Sequence, residues 1–164
     1  MKRRLLLIVH CLEILALAAW FGGLVAIIGA VIPAVFNTVS IEVGGRMLTR
    51  TFEGYDRIVL ISAAVLILGL LARTRLQTDG GSEIATVESL VLATMVSIAI
   101  FLTFYLNPAI VQLQEAAFAS KEETAKHAAY ATFFRYHWTA RGLYLTNLLL
   151  GMGDICLKAR RGVR

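Results

Sequence analysis

Charge is what this sequence has least of. Of its 164 residues, 16% are charged and 58% are hydrophobic. A soluble domain carries about a quarter of its residues as charges, so an ordinary soluble fold is excluded. Cysteine is nearly absent: Cys11 and Cys156 stand alone, with no Cys-x-x-Cys spacing, which excludes a disulfide framework and a thiolate metal site. Both read as small apolar packing residues. There is no His-x-x-x-His, no phosphate-binding glycine loop and no nucleophile–base pair at a recognisable spacing. An enzyme reading therefore has nothing to rest on. The net charge of +5 suggests nucleic acid at first sight, but the basic residues flank apolar runs instead of gathering on one face, and nucleic acid is excluded as a partner.

What is present is apolar length. Leu5–Val35 is interrupted only by His10 and Glu13 and exceeds the roughly 20 residues that cross a bilayer core. Lys2, Arg3 and Arg4 ahead of it, with Ala16-Leu17-Ala18 inside it, resemble a secretory signal. The apolar run continues well past Ala18, so we read an uncleaved anchor. Three further runs, roughly 55–74, 84–113 and 134–157, complete an all-α, integral-membrane four-helix bundle, one transmembrane domain over 1–164. Pro33 and Asn107-Pro108 fall late in the first and third helices, where proline ends or kinks a helix. Thr78–Ser82 is a turn by composition. The connections 37–56 and 114–136 mix charge with apolar residues and predict short amphipathic helices, the second opening with a capping box at Ser120 and Glu123. No internal repeat is evident. Gly22, Gly23 and Gly29 predict close helix contacts on the first helix, the expected hub of the bundle.

Ionisable residues at membrane depth fall into two layers, where they tend to face the bundle interior. His10, Glu13, Glu88 and Asp154 lie near one end; Asp56, Arg57, Asn107, His137 and Arg141 lie near the other. His10, Glu13 and Asp154 have the donor types of a transition-metal site or a proton relay; the structural reading is a polar cluster that pins helix register. His137 and Arg141, four apart on one helix face, predict an ion pair with Asp56 or Glu53, or an anion site. His10, His137 and Trp20 are the candidate cofactor contacts, with core packing as the structural reading for Trp20. No cofactor is expected within one chain, because His10 and His137 enter from opposite membrane faces; a single-histidine pigment or a haem shared with another chain stays open.

Trp20-Phe21-Gly22-Gly23, Pro33-Ala34-Val35-Phe36, Asn107-Pro108 and Phe133-Phe134-Arg135-Tyr136-His137 together resemble the transmembrane-protein-205-like family, which includes small bacterial four-helix membrane proteins of unknown function. The Trp-x-Gly-Gly part is also similar to copper-resistance-D-type membrane proteins. The resemblance implies a four-helix bundle in a bacterial inner membrane, without established chemistry. The link of its animal members to platinum-drug resistance hints at export. This chain departs from the family pattern, since Ala140 and Arg141 follow His137 and the asparagine is Asn147. The signature for a polar pathway through the fourth helix is thus incomplete.

The reading that follows is a non-enzymatic, multi-pass accessory module of a larger membrane assembly, in contact with lipid and with membrane-protein partners or copies of itself. The alternative is a permease-like or metal-handling protein built on His10, Glu13 and Asp154. Orientation follows from lysine and arginine placement. Lys2, Arg3, Arg4, Arg73, Arg75, Lys158, Arg160, Arg161 and Arg164 crowd one side with few acids beside them. Both termini are therefore expected in the cytoplasm. A cytoplasm-active reporter fused at Arg164 should be active and one fused at Ser120 inactive; the reverse pattern would invert the assignment.

Overall fold

The computed structural model describes residues 2–76, 83–120 and 122–162. The expected turn at Thr78–Ser82 and the charges Lys121 and Arg164 lie outside them. Every described element is helical: α1 (Lys2–Ala26), α2 (Ile32–Thr38), α3 (Ile41–Leu76), α4 (Glu83–Phe101), α5 (Asn107–Ala119) and α6 (Glu123–Gly162). Three continuous helices, Lys2–Thr38, Ile41–Arg75 and Thr86–Ala119, are long and apolar enough to cross a membrane. Their outer faces carry bare apolar side chains such as Leu15, Leu68 and Leu90. In water this much exposed leucine would drive aggregation; in lipid it is the expected surface. The protein is an integral membrane protein.

The short connecting helices do not form as separate elements. Residues 41–56 are the first turns of α3, and 123–136 are the first turns of α6. The reason is that neither segment contains a proline, so nothing stops a helix from propagating once the apolar part has nucleated it. Ser120 does not cap α6 either: its hydroxyl donates to the Glu122 carbonyl at 3.2 Å, and it closes α5 from an extended conformation.

α1 joins α2, and α4 joins α5, through a single widened turn, Ile27–Val31 and Leu102–Leu106. In each, the amide just before a proline reaches back five residues, Ile32 to the Ile27 carbonyl and Asn107 to the Leu102 carbonyl. Proline has no N–H and its ring collides with the carbonyl four residues back. Widening the preceding turn accommodates Pro33 and Pro108 without breaking the rod.

These two turns reveal a repeat that the sequence alone did not suggest. Adding 75 to a position in the first rod gives its counterpart in the third. Glu13 matches Glu88, Leu17 Leu92, Trp20 Met95, Leu24 Ala99, Ile27 Leu102 and Pro33 Pro108, and apart from the prolines both members of each pair are buried. Leu15-Ala16-Leu17-Ala18 aligns with Leu90-Val91-Leu92-Ala93. The chain is two helical hairpins, Lys2–Leu76 and Glu83–Gly162, with first arms of the same design.

Within the bundle α1 packs along α3, and α4 and α5 pack along α6; α3 meets α4, and α1 meets α6. The core is drawn from Leu17, Trp20, Phe21 and Leu24 of α1, Tyr55, Val59 and Leu66 of α3, and Leu92 and Met95 of α4. The Tyr55 hydroxyl donates to the Trp20 carbonyl at 3.0 Å, tying α3 to α1. Trp20 is a core residue, 2% exposed, with its ring stacked against Phe21 at 5.7 Å.

The expected glycine contacts are corrected. A Cβ added at Gly23 would stand 3.2 Å from the Tyr55 ring, but one added at Gly22 or Gly29 would meet nothing within 4 Å. Gly22 in α1 and Gly29 in the widened turn after it are both exposed, so no described helix of this chain needs their lack of a side chain. The glycine the interior requires is Gly151 on α6, where an added Cβ would fall inside the Phe21 ring. Gly151→Ala should cost about 1–3 kcal/mol by overpacking, and Phe21→Leu should restore part of it, whereas Gly22→Ala should leave the monomer's melting temperature unchanged. Thermal unfolding in mild detergent checks all three.

A buried ring of charge as the candidate functional site

A lone charge in a low-dielectric interior is too costly to persist, so charges at membrane depth must pair or sit at water. α1 presents Glu13, α3 presents Arg73 near its end, α4 presents Glu88, and α6 presents Asp154 and Lys158 one turn apart. The five side chains meet at one level of the bundle, all buried. Arg73 Nη2 lies 3.0 Å from Glu13 Oε1 and 2.6 Å from Glu88 Oε1. Lys158 Nζ donates to Glu13 Oε2 at 3.1 Å and to Glu88 Oε1 at 2.6 Å. Each glutamate thus touches both cations and each cation touches both glutamates, an alternating ring with one member from each helical arm. Gly69 makes room for it, because a Cβ there would overlap the Glu13 carboxylate.

Asp154 stands beside the ring and is not closed into it. Its Oδ2 is 3.8 Å from Lys158 Nζ, and its Oδ1 is buried without a hydrogen-bond partner. The repeat explains the ring's symmetry: each hairpin contributes one acid from its first arm and one cation near the end of its second.

Sequence reasoning placed Glu13, Glu88 and Asp154 in one layer but missed Arg73 and Lys158, which read as flanking charges on the helix ends. The missing signal was charge balance: three acids at one depth demand cations at that depth. Lys158, Asp154, Gly151, Asn147 and Tyr144 also recur at spacings of three and four on α6, which puts them on one face. His10 is half-buried and joins none of these contacts. The expected His10/Glu13/Asp154 set therefore does not assemble: the two carboxylates converge on Lys158 instead. Among the described residues no group of three or more His, Cys, Asp or Glu side chains is arranged to hold a metal ion. Cys11 and Cys156 are free and exposed.

The second layer forms around Asn107, whose amide donates to Asp56 Oδ2 at 2.8 Å and to the Tyr144 hydroxyl at 3.0 Å. The expected pairing of Arg141 with Asp56 or Glu53 is corrected. Arg141 is exposed and lies over the Trp138 ring at 5.1 Å, Glu53 is taken by Arg50 at 2.9 Å, and His137 stacks on Phe133. The neutral Asn107 amide satisfies Asp56 without a second buried charge, and α6 turns Tyr144, not Arg141, to the interior. His10 is within one turn of Glu13, which touches Lys158; His137 lies 21 positions before Lys158 on the same helix, about 30 Å at 1.5 Å per residue. The two histidines therefore stand at different levels of the chain.

With this geometry in hand, the chain matches the family model described as a domain of unknown function, DUF4149, over residues 15–119. It belongs to that family. No curated protein and no solved structure matches it. The expected membership of the transmembrane-protein-205-like and copper-resistance-D-type families gains no support from this match. The matched segment holds Arg73, Glu88 and both prolines; Glu13, Asp154 and Lys158 lie outside it.

Removing one partner from a buried ion pair leaves the other charge uncompensated and costs about 3–5 kcal/mol. Arg73→Met should therefore destabilise the bundle by that amount. Arg73→Met combined with Glu13→Met removes a cation and an anion together and should lie nearer to wild type. Denaturant unfolding in lipid–detergent micelles measures both.

Proposed function

We propose that this DUF4149 chain is a non-enzymatic accessory module of a membrane assembly, a four-span bundle with both termini in the cytoplasm. Support for the fourth span comes from the faces of α6. Its polar residues Tyr144, Asn147, Asp154 and Lys158 make the inward contacts above, while Leu145, Leu149, Met152 and Ile155 are bare on the outside. The helix is less apolar than the others because its inner face is polar, and the face it offers to lipid is not.

The observation that carries the accessory role is the clamp itself. The ring fastens all four arms to one another, which favours one fixed arrangement over the rocking a permease requires. What such a bundle offers is its outer surface. There α1 and the widened turn after it display Ala18, Gly22, Ala26 and Ala30, exposed and four apart, the spacing at which small residues admit a neighbouring helix. Beside that stripe runs an apolar groove between α1 and α3, lined by Leu12, Leu15, Ala19, Ile58, Ile61 and Val65.

The alternative, ion handling at the carboxylates, is favoured by one observation, the unpartnered Asp154 Oδ1. Gentle solubilisation of native membranes separates the two. The accessory reading expects a stable complex with other membrane proteins, and Gly22→Leu should reduce recovery of that complex by tenfold or more, about 1.4 kcal/mol, without lowering the monomer's melting temperature. A chain that purifies alone from native membranes, or a complex indifferent to Gly22→Leu, would sink it.

A further inference from the structure

The ring and its attached aspartate do not balance. Among the described side chains they comprise three carboxylates, Glu13, Glu88 and Asp154, against two cations, Arg73 and Lys158. All five are buried, the three acids at no more than 1% exposure. These groups come from α1, α3, α4 and α6, every arm around the site. An excess negative charge at such a place carries an effective penalty of several kcal/mol, and a carboxyl group avoids it by taking up a proton.

Geometry says which one. Both glutamates hold cations at 2.6–3.1 Å, and each accepts a hydrogen bond from Lys158. Asp154 approaches Lys158 only to 3.8 Å, although it sits on the same helix one turn away. Lys158 Nζ is turned to the glutamates instead. Asp154 Oδ1, meanwhile, has no donor; Glu13 Oε1 lacks a hydrogen bond too, but it faces Arg73 Nη2 at 3.0 Å and its partner oxygen Oε2 accepts from Lys158. An ionised carboxylate would be in its least favourable setting at Asp154; a neutral acid loses far less on leaving water. We propose that Asp154 is a buried proton-binding site, neutral at physiological pH, and that its proton completes the charge balance of the ring.

A metal ion or sodium is the other way to supply the missing positive charge. Hard cations gather six or more oxygens, and beside Asp154 the neighbouring carboxylate oxygens are already engaged by Arg73 and Lys158. The site has room in its bonding for a proton and lacks the oxygen cage of a cation.

Infrared spectroscopy of the full chain in lipid nanodiscs tests this directly. The wild-type protein at neutral pH should show the carbonyl stretch of a protonated carboxylic acid above the amide band, shifting in heavy water. Asp154→Asn, which has the shape of the neutral acid, should abolish that band and keep the wild-type melting temperature. Glu13→Gln removes the excess negative charge, lets Asp154 ionise, and should also abolish it. The proposal is overturned if the wild-type protein lacks the band at neutral pH, or if the band survives in Asp154→Asn. It is equally overturned if Asp154→Asn is as destabilised as Arg73→Met, or if sodium chloride, but not choline chloride, raises the melting temperature at fixed pH. Where Asp154→Asn fails to fold, Glu13→Gln still separates Asp154 from Asp56, the buried acid of the second layer, whose band it would leave in place.

Discussion

A carboxylate held away from water has to find a cation, and this constraint organises the whole bundle. Glu13 and Glu88 cannot enter the interior unless Arg73 and Lys158 arrive at the same depth, and those two residues stand on different helices. The register of α1 against α3, and of α4 against α6, is thereby fixed to within a side-chain length. Apolar packing cannot do this in lipid, where a slip of one turn exchanges leucine for leucine at little cost. A slip of one turn at the ring would strand a charge. The ring adds little net stability by comparison with an apolar core; its effect is to make one alignment far better than its neighbours.

The two-hairpin repeat gives that alignment its economy. A first arm with an acid 20 residues before a proline, followed by a second arm with a cation near its end, occurs twice. Two such hairpins side by side place two acids and two cations around a common level, and each can satisfy both of the other kind. The widened turns before Pro33 and Pro108 keep each first arm continuous beyond that level, so the apolar core above the ring follows the same register. The second arms differ more: the cation is Arg73 in one and Lys158 in the other, and only α6 adds a further acid beside the ring, Asp154.

How much of this was legible in the sequence differs by kind of signal. The apolar runs gave the helices because bilayer length is a strong constraint, and the acids Glu13, Glu88 and Asp154 stood out because they interrupt those runs. Arg73 and Lys158 did not, since each lies at the end of a run, where a cation has a second explanation at the membrane surface. Charge in 41–56 and 123–136 suggests separate amphipathic pieces, but charge does not stop a helix, and α3 runs on even through Gly44 and Gly45. The glycines misled for a related reason. Gly22 and Gly29 look like packing sites by type, yet among the described glycines it is at Gly69 and Gly151 that an added Cβ would come within 3.0 Å of a side chain, and only the positions of Glu13 and Phe21 across the interface show it.

The interior of α6 joins two polar layers that do not touch. Tyr144, held by Asn107 beside Asp56, and Lys158, held by the glutamates, share one face of the helix and are separated by about 21 Å of rise. Between them Asn147 spends its amide on the Met95 carbonyl at 3.3 Å and leaves its own oxygen without a partner. One turn on, the Phe21 ring fills the notch of Gly151. A polar stripe with a phenylalanine seated across it is a divided stripe. Along that stripe the Phe21 ring stands between Asn147 and Asp154 and adds apolar surface beside the ring of charge, where an unpaired charge is costly. The notch at Gly151 therefore belongs to the electrostatics of the bundle as much as to its packing: without a glycine there, Phe21 could not close the interior above Asp154.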